Sequence, residues 1–147
     1  MKLWKLKMPN GGAGFTEYND GTIQFETTQW SQGYYDNGKI WQTFTLPEGK
    51  YEMRIEVKNA ANIGSGSTNI HFAVAQGESL PDNEELEKSD IILSYLKFES
   101  EHTNKTSALP IFELTEEKTI TVGWVVSFSD ICRNIEFKSV RLWSVAE

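Results

Sequence analysis

The sequence predicts an all-β protein, an antiparallel two-sheet jelly-roll sandwich of about nine strands. Three observations lead to this fold class. Apolar and polar side chains alternate with period two along most of the chain. Helical spacing is almost absent, and Gly, Pro, Asn and Asp separate the alternating segments. Many short strands divided by turn signals are typical of a sandwich or barrel and not of a parallel α/β sheet.

The strands differ in how clearly they alternate. In 51–58, apolar side chains alternate with charged ones, as a half-buried antiparallel strand requires. Residues 120–128 repeat the pattern, and Trp124 belongs to the inward set, so we expect it in the core. Weaker alternation predicts strands over 3–8, 22–27, 40–46, 69–75, 91–96, 109–114 and 135–142.

Local signals add detail between and within these strands. In 135–142, the inward set shifts by one residue, from Ile135 and Phe137 to Val140 and Leu142, which predicts a β-bulge. Pro81 precedes the one helix signal, a short turn over 82–88. The segments 46–50 and 115–118 are predicted to be tight hairpin turns.

Composition excludes several classes of function. The chain has 147 residues, which suits a single domain over 1–147, and its formal net charge is −7. No cluster of Lys and Arg is present, so nucleic acid and anionic membrane surfaces are not expected partners. No run approaches the roughly 18 apolar residues of a membrane span, and the single cysteine, Cys132, rules out an intramolecular disulfide.

Catalytic and metal-binding motifs are not found either, so we predict neither an enzyme nor a cofactor. His71 and His102 do not lie in a metal-ligand spacing, and His71 is expected on the outward side of a strand. Residues 19–21, Asn-Asp-Gly, have the composition of a calcium ligand set but are more simply explained as a turn.

Alternating strand directions sort the connections into two ends of the sandwich. Those around 47–50, 76–89 and 115–118 are predicted at one end, and those around 28–38, 59–67, 99–107 and 128–134 at the other. The second group is longer and richer in aromatic and polar side chains, and long loops on a rigid scaffold commonly carry binding sites. The predicted ligand-binding residues at this end are Trp30, Tyr34, Tyr35, Asn62, His102, Asp130 and Arg133.

Aromatic planes beside amide, carboxylate and guanidinium groups suit a sugar, whose C–H face stacks on a ring while its hydroxyls form hydrogen bonds. The same set suits a polar peptide. Structural roles also remain open: Trp30 can pack on the sandwich edge, and Asp130 with Arg133 can form an ion pair that fixes a loop. Tyr34 and Tyr35 are adjacent, so in an extended segment at most one of them faces a ligand.

One stretch, Ile40-Trp41-Gln42-Thr43-Phe44-Thr45-Leu46-Pro47-Glu48-Gly49-Lys50-Tyr51, resembles the strand–turn–strand of galactose-binding-like jelly rolls. With 75–82, 112–114 and 120–124, it is similar to a domain family of uncharacterised function from the C-terminal regions of Bacteroidetes surface lipoproteins. This resemblance covers about residues 20–145 and implies a fragment of a larger exported protein, located extracellularly, at the cell surface or in the periplasm. It also implies glycan binding, without assigning that role to any residue.

Two functions follow as hypotheses. The first is a non-catalytic carbohydrate-binding module of a bacterial surface or secreted protein, with a glycan or oligosaccharide as its ligand. The alternative is a structural or protein-interaction domain that packs against neighbouring domains of the full-length protein and binds no sugar.

Overall fold

A computed structural model describes residues 5–7, 15–27, 35–61, 68–128 and 133–145. In these ranges, eleven strands form two antiparallel sheets with a core between them, so the predicted all-β sandwich is confirmed. The strands are β1 (Lys5–Lys7), β2 (Phe15–Glu17), β3 (Ile23–Thr27), β4 (Tyr35–Leu46), β5 (Gly49–Ala61), β6 (Thr68–Gln76), β7 (Ile92–Lys97), β8 (Lys105–Ala108), β9 (Phe112–Leu114), β10 (Lys118–Phe128) and β11 (Arg133–Ser144). The α-helix α1 (Asn83–Leu86) and a 3₁₀ turn (Ser100–His102) accompany them.

The five-stranded sheet has the order β1-β4-β10-β6-β7, and the six-stranded sheet has the order β2-β3-β11-β5-β8, with β9 also paired to β5. The nine predicted strands all have counterparts in this arrangement. The two additional strands are β2 and β8, which are three and four residues long and mostly polar. Segments of this length are too short for alternation to become visible.

The hairpin prediction for 46–50 and 115–118 is wrong. The first segment leads from β4 in the five-stranded sheet to β5 in the six-stranded sheet, and the second leads from β9 to β10, again between sheets. In a sandwich, a strand buries its apolar face between the sheets whichever of the two sheets it belongs to. Alternation therefore does not specify whether two consecutive strands pair.

The predicted bulge is present in β11, where the register against β5 shifts between Glu136 and Ser139. Side chains on a strand alternate between faces, so one inserted residue reverses which of them face the core. Val140 and Leu142 consequently pack against the core, and Arg141 and Trp143 face outward. The bulge thus decides which side chains the six-stranded sheet presents to solvent.

Residues 77–91, which we call the covering segment, connect β6 to β7. This connection was predicted around 76–89 at one end of the sandwich, but α1 within it lies over the outer face of the five-stranded sheet. Leu80 and Leu86 pack there against Ala73, Ala75 and Val125 in a second apolar cluster.

Within the described residues, no helix has the length and apolar character needed to cross a membrane.

His71 changes its environment because of this covering segment. It lies on the outward side of β6, as predicted, but its exposure is only 1%. Its Nδ1 lies 2.8 Å from Asn83 Oδ1, and its Nε2 lies 2.7 Å from Glu87 Oε2. The hydrogen bond from His71 holds the pKa of the Glu87 carboxyl below its usual range.

Candidate functional site

The strand directions place the predicted binding loops at one end of the sandwich. At this end, which we call the loop end, β3, β5 and β10 finish and β4, β6 and β11 begin. Thr27 is the register partner of Arg133, and Phe128 is the partner of Tyr35. The grouping of the strand ends therefore agrees with the alternation of directions that the sequence predicts.

The structure describes few of the predicted ligand-binding residues at the loop end. Trp30, Tyr34, Asn62 and Asp130 lie outside the described residues. Tyr35 and Arg133 are the first residues of β4 and β11, which positions their backbones at this end. The assignment of these six residues to a ligand stays a prediction.

His102 has a defined environment at the same end. It is the last residue of the 3₁₀ turn, and its Nδ1 accepts a 2.8 Å hydrogen bond from the backbone N–H of Glu99. Its ring centroid lies 5.0 Å from that of Phe98. Thr103 Oγ1 accepts from the backbone N–H of Ala60, which ties this turn to the end of β5. The half-buried His102 thus has a structural role, and its Nε2 is the ring nitrogen that remains for a ligand.

A second surface, which the sequence analysis did not single out, lies on the outer face of the six-stranded sheet. In the register of β5 against β11, Glu52 is opposite Trp143, Arg54 is opposite Arg141, and Glu56 is opposite Ser139. Thr106 of β8 lies beside Glu56. We call these outward side chains the Trp143 face. A depression of about 220 Å³ is lined there by Arg54, Glu56, Thr106, Ser139, Arg141 and Trp143.

Trp143 is the aromatic platform of this face. Its exposure is 47%, whereas Trp124 is fully buried and Trp41 is half-buried beside the second apolar cluster. The guanidinium carbon of Arg54 lies 5.9 Å from the Trp143 ring centroid, within the range of a cation–π contact. Since Trp143 stands on a central pair of strands, its ring is held on a rigid support rather than on a loop.

The polar groups around the ring are largely oriented by one another. Arg54 Nε donates to Glu52 Oε1 at 2.6 Å, and Ser139 Oγ donates to Glu56 Oε1 at 3.3 Å. Planar guanidinium and carboxylate groups therefore surround an exposed indole on the outer face of the six-stranded sheet. This arrangement offers a stacking surface together with donors and acceptors for hydroxyl or charged groups.

The sequence did contain a signal for this surface. Trp143 alternates away from Leu142, and the same alternation puts Arg141 on its side of the strand. The alternation pattern does not identify the strand that pairs with this part of β11. Only the pairing of β5 with β11 sets Trp143 beside Glu52 and Arg54.

Two other concave regions are found in the described part of the chain. One, of about 290 Å³, opens between the sheets and is lined by Gln42, Lys138, Ser139 and otherwise mainly apolar core side chains. The other, of about 470 Å³, follows the edge strand β7. Among the described side chains, no three His, Cys, Asp or Glu residues lie close enough together to hold a metal ion.

The turn at 19–21 takes the simpler of its two predicted roles. Asp20 Oδ1 accepts a 3.0 Å hydrogen bond from the backbone N–H of Thr22, and this bond lowers the pKa of the Asp20 carboxyl. Gly21 has a φ of 90°, as the tight connection of β2 to β3 requires. The Asp20 carboxylate is therefore used to close a turn.

Comparison with solved structures places the fold among known sandwiches. The chain is similar to TmCBM61, solved in complex with β-1,4-galactotriose, with a TM-score of 0.55 and 12% identity over 97% of this chain and 88% of that one. It is also similar to the xylan-binding module CBM15, with a TM-score of 0.58 and 14% identity over 99% and 93% of the two chains.

A third similar structure is a family 16 carbohydrate-binding module, with a TM-score of 0.53 and 12% identity over 93% of this chain and 90% of that one. At such identities, these similarities establish the jelly-roll fold alone. No curated protein sequence matches the chain. Residues 4–123 match the family model described as "Domain of unknown function (DUF5013)". Since this match spans most of the chain, the protein belongs to the DUF5013 family.

Proposed function

We propose that the chain is a non-catalytic glycan-binding module and that it binds its ligand on the Trp143 face. The observation that carries this proposal is a half-exposed tryptophan on a rigid sheet, bordered by guanidinium, carboxylate and hydroxyl groups. A pyranose ring stacks its C–H face on such an indole, and its hydroxyls exchange hydrogen bonds with the bordering groups.

The groups that line the depression are exposed or half-buried and are therefore in contact with water. Hydrogen bonds to exposed hydroxyls replace hydrogen bonds to water, so each one contributes little net free energy. We therefore expect weak binding to a single sugar unit and stronger binding to an oligosaccharide that extends along the sheet.

The similar folds support this proposal by analogy. TmCBM61 was solved with a galactotriose, and CBM15 is described as xylan-binding, so sandwiches of this fold accommodate oligosaccharides. Fold similarity does not transfer a ligand, so the site proposed for this chain depends on its own side chains.

The loop end is the second location for a glycan within the same proposal. There, Trp30 and one of Tyr34 or Tyr35 would stack on a sugar. The residues that would bond its hydroxyls are Asn62, His102, Asp130 and Arg133.

Export to the cell surface, periplasm or medium, within a larger protein, also belongs to this proposal.

The test compares the two locations directly. Wild type, Trp143→Ala and Trp30→Ala are applied to a glycan array, and hits are measured by isothermal titration calorimetry. We expect Trp143→Ala to lower affinity at least about tenfold, because the stacking surface is lost. Tyr18→Ala is the control, because Tyr18 is 44% exposed, lies on the β2–β3 turn and does not line the depression of the Trp143 face.

Each outcome has a definite meaning. Loss of binding in Trp30→Ala but not in Trp143→Ala would place the ligand at the loop end and refute the Trp143 face as the site. A wild-type protein that binds no glycan would refute the proposed function and favour the structural or protein-interaction domain.

A further inference from the structure

The Trp143 face contains a pair of like charges at its centre. Arg54 and Arg141 are direct register partners on neighbouring strands, and both side chains are exposed on the outward face. Like charges directly opposite each other destabilise a sheet. Because the chain has 21 Asp and Glu against 14 Lys and Arg, such a pairing runs against its overall charge.

The neighbouring carboxylates compensate for only one of the two arginines. Glu52 binds Arg54 at 2.6 Å, Glu56 accepts a hydrogen bond from Ser139, and Glu136 lies 3.8 Å from Lys58. Among the residues that the structure describes, no carboxylate lies within 4.0 Å of the Arg141 guanidinium, although Arg141 lines the depression. Arg141 thus offers its N–H donors to whatever occupies that depression.

The chemistry of the missing partner follows from the guanidinium and the indole together. A guanidinium presents a planar fork of donors that matches a carboxylate with two parallel hydrogen bonds. The adjacent Trp143 ring favours a ligand with an apolar C–H face. A sugar ring bearing a carboxylate has both properties in one unit.

We propose, on the basis of the proposed function, that the ligand of the Trp143 face is an acidic glycan whose uronic acid carboxylate binds Arg141. The sugar ring stacks on Trp143, and the carboxylate supplies the negative charge that the Arg54–Arg141 pair lacks. Arg54 remains held by Glu52 and orients the site.

The test uses three soluble probes that differ in charge: tri-galacturonate, its methyl ester and neutral galactotriose. We expect the wild type to bind tri-galacturonate about tenfold more tightly than the ester, with the preference decreasing as salt is raised. In Arg141→Gln, the affinity for tri-galacturonate should fall to that for the ester. Arg141→Lys should be intermediate, because it retains the charge and loses the fork.

Two controls separate this site from general electrostatics and from folding. Lys58→Gln removes the same unit of charge from the same sheet face, at an exposed residue outside the depression, and should leave the preference unchanged. Thermal unfolding of Arg141→Gln should show a midpoint temperature equal to or above that of the wild type, because the variant removes one of two positive charges that lie opposite each other. A lowered midpoint would show that Arg141 has a structural partner and would overturn the inference.

The failure of this inference is distinguishable from failure of the proposed function. Equal affinity for the acid and the ester, with both lost in Trp143→Ala, would overturn the acidic ligand and leave glycan binding intact. Binding of none of the three probes, together with no hit on a glycan array, would overturn both.

Discussion

Gly123 lies at a point of the five-stranded sheet where no side chain fits. A Cβ built on it would lie 2.1 Å from the Ile40 carbonyl oxygen and 2.8 Å from the Trp41 Cα atom. Both are backbone atoms of the paired strand β4, so neither moves without disturbing the ladder. Glycine is required here by close approach of two strands and not by an unusual backbone angle.

We therefore expect Gly123→Ala to lower the free energy of unfolding by about 2–3 kcal/mol, measured by urea denaturation. Gly21→Ala is the comparison, because Gly21 has a φ of 90° but no heavy atom within 4 Å of an added Cβ. That variant should lose about 1 kcal/mol, from backbone strain alone. Equal losses in the two variants would contradict the steric explanation.

At the scale of an element, the covering segment shows how a loop becomes part of the fold. Asn83 is 4% exposed, and its Nδ2 donates to Asn69 O and Ser127 Oγ, both at 2.8 Å. Its backbone N–H donates to Asn37 Oδ1 at 2.7 Å. Buried polar groups are costly unless they are hydrogen-bonded, so this network holds α1 in a single position on the sheet.

The contribution of Glu87, in the covering segment, to the stability of the fold depends on pH. Its pKa is lowered in the folded state, chiefly by the hydrogen bond from His71. An acid with a depressed folded pKa stabilises the fold above its unfolded pKa, and this contribution is lost as the pH falls through the folded value. In Glu87→Gln, we expect lower stability than wild type at neutral pH and a difference that shrinks below about pH 4.3.

Unfolding by denaturant between pH 3 and pH 7 measures this difference for both proteins. Glu85→Gln is a matched control, since Glu85 is an exposed glutamate two residues before Glu87 and does not bond to His71. A pH profile of Glu87→Gln that matches the profile of Glu85→Gln would show that the His71–Glu87 pair contributes nothing.

At the scale of the whole molecule, Trp124 joins the two sheets. Its ring centroid lies 5.3 Å from Phe72, 4.7 Å from Phe98 and 4.6 Å from Phe137, which belongs to the opposite sheet. Its exposure is 0%, and among the described residues its indole N–H has no hydrogen-bond partner. Trp124 therefore stabilises the sandwich through apolar packing against these three rings.

Trp124→Ala should lower the free energy of unfolding by about 3–5 kcal/mol, and Trp124→Phe by about 1–2 kcal/mol, because phenylalanine refills most of the cavity. Trp143→Ala should lower it by about 1 kcal/mol, since Trp143 is half-exposed and loses mainly its cross-strand contact with Arg54. Chemical denaturation of the three variants checks this order. A loss in Trp124→Phe as large as that in Trp124→Ala would mean that the indole N–H has a role.

The sequence pattern predicted the fold well because each strand has one apolar face, which local alternation reports directly. It placed Trp124 in the core, located the bulge in β11 and sorted the strand ends into two groups. It missed β2 and β8, which are short and polar, and misjudged the 46–50 and 115–118 connections. Pairing depends on backbone groups that every residue possesses, so side-chain alternation does not reveal the neighbouring strand.

The candidate site depends even more on pairing. Arg54 and Arg141 are 87 positions apart in the sequence, and nothing local to either residue indicates that they are opposite each other. By itself the sequence determined an all-β sandwich, its core faces and the absence of recognisable catalytic motifs, because these follow from local periodicity and residue type. Only the tertiary structure decided that Trp143 and two arginines share one surface, because a register between distant strands is set by the packing of the whole core.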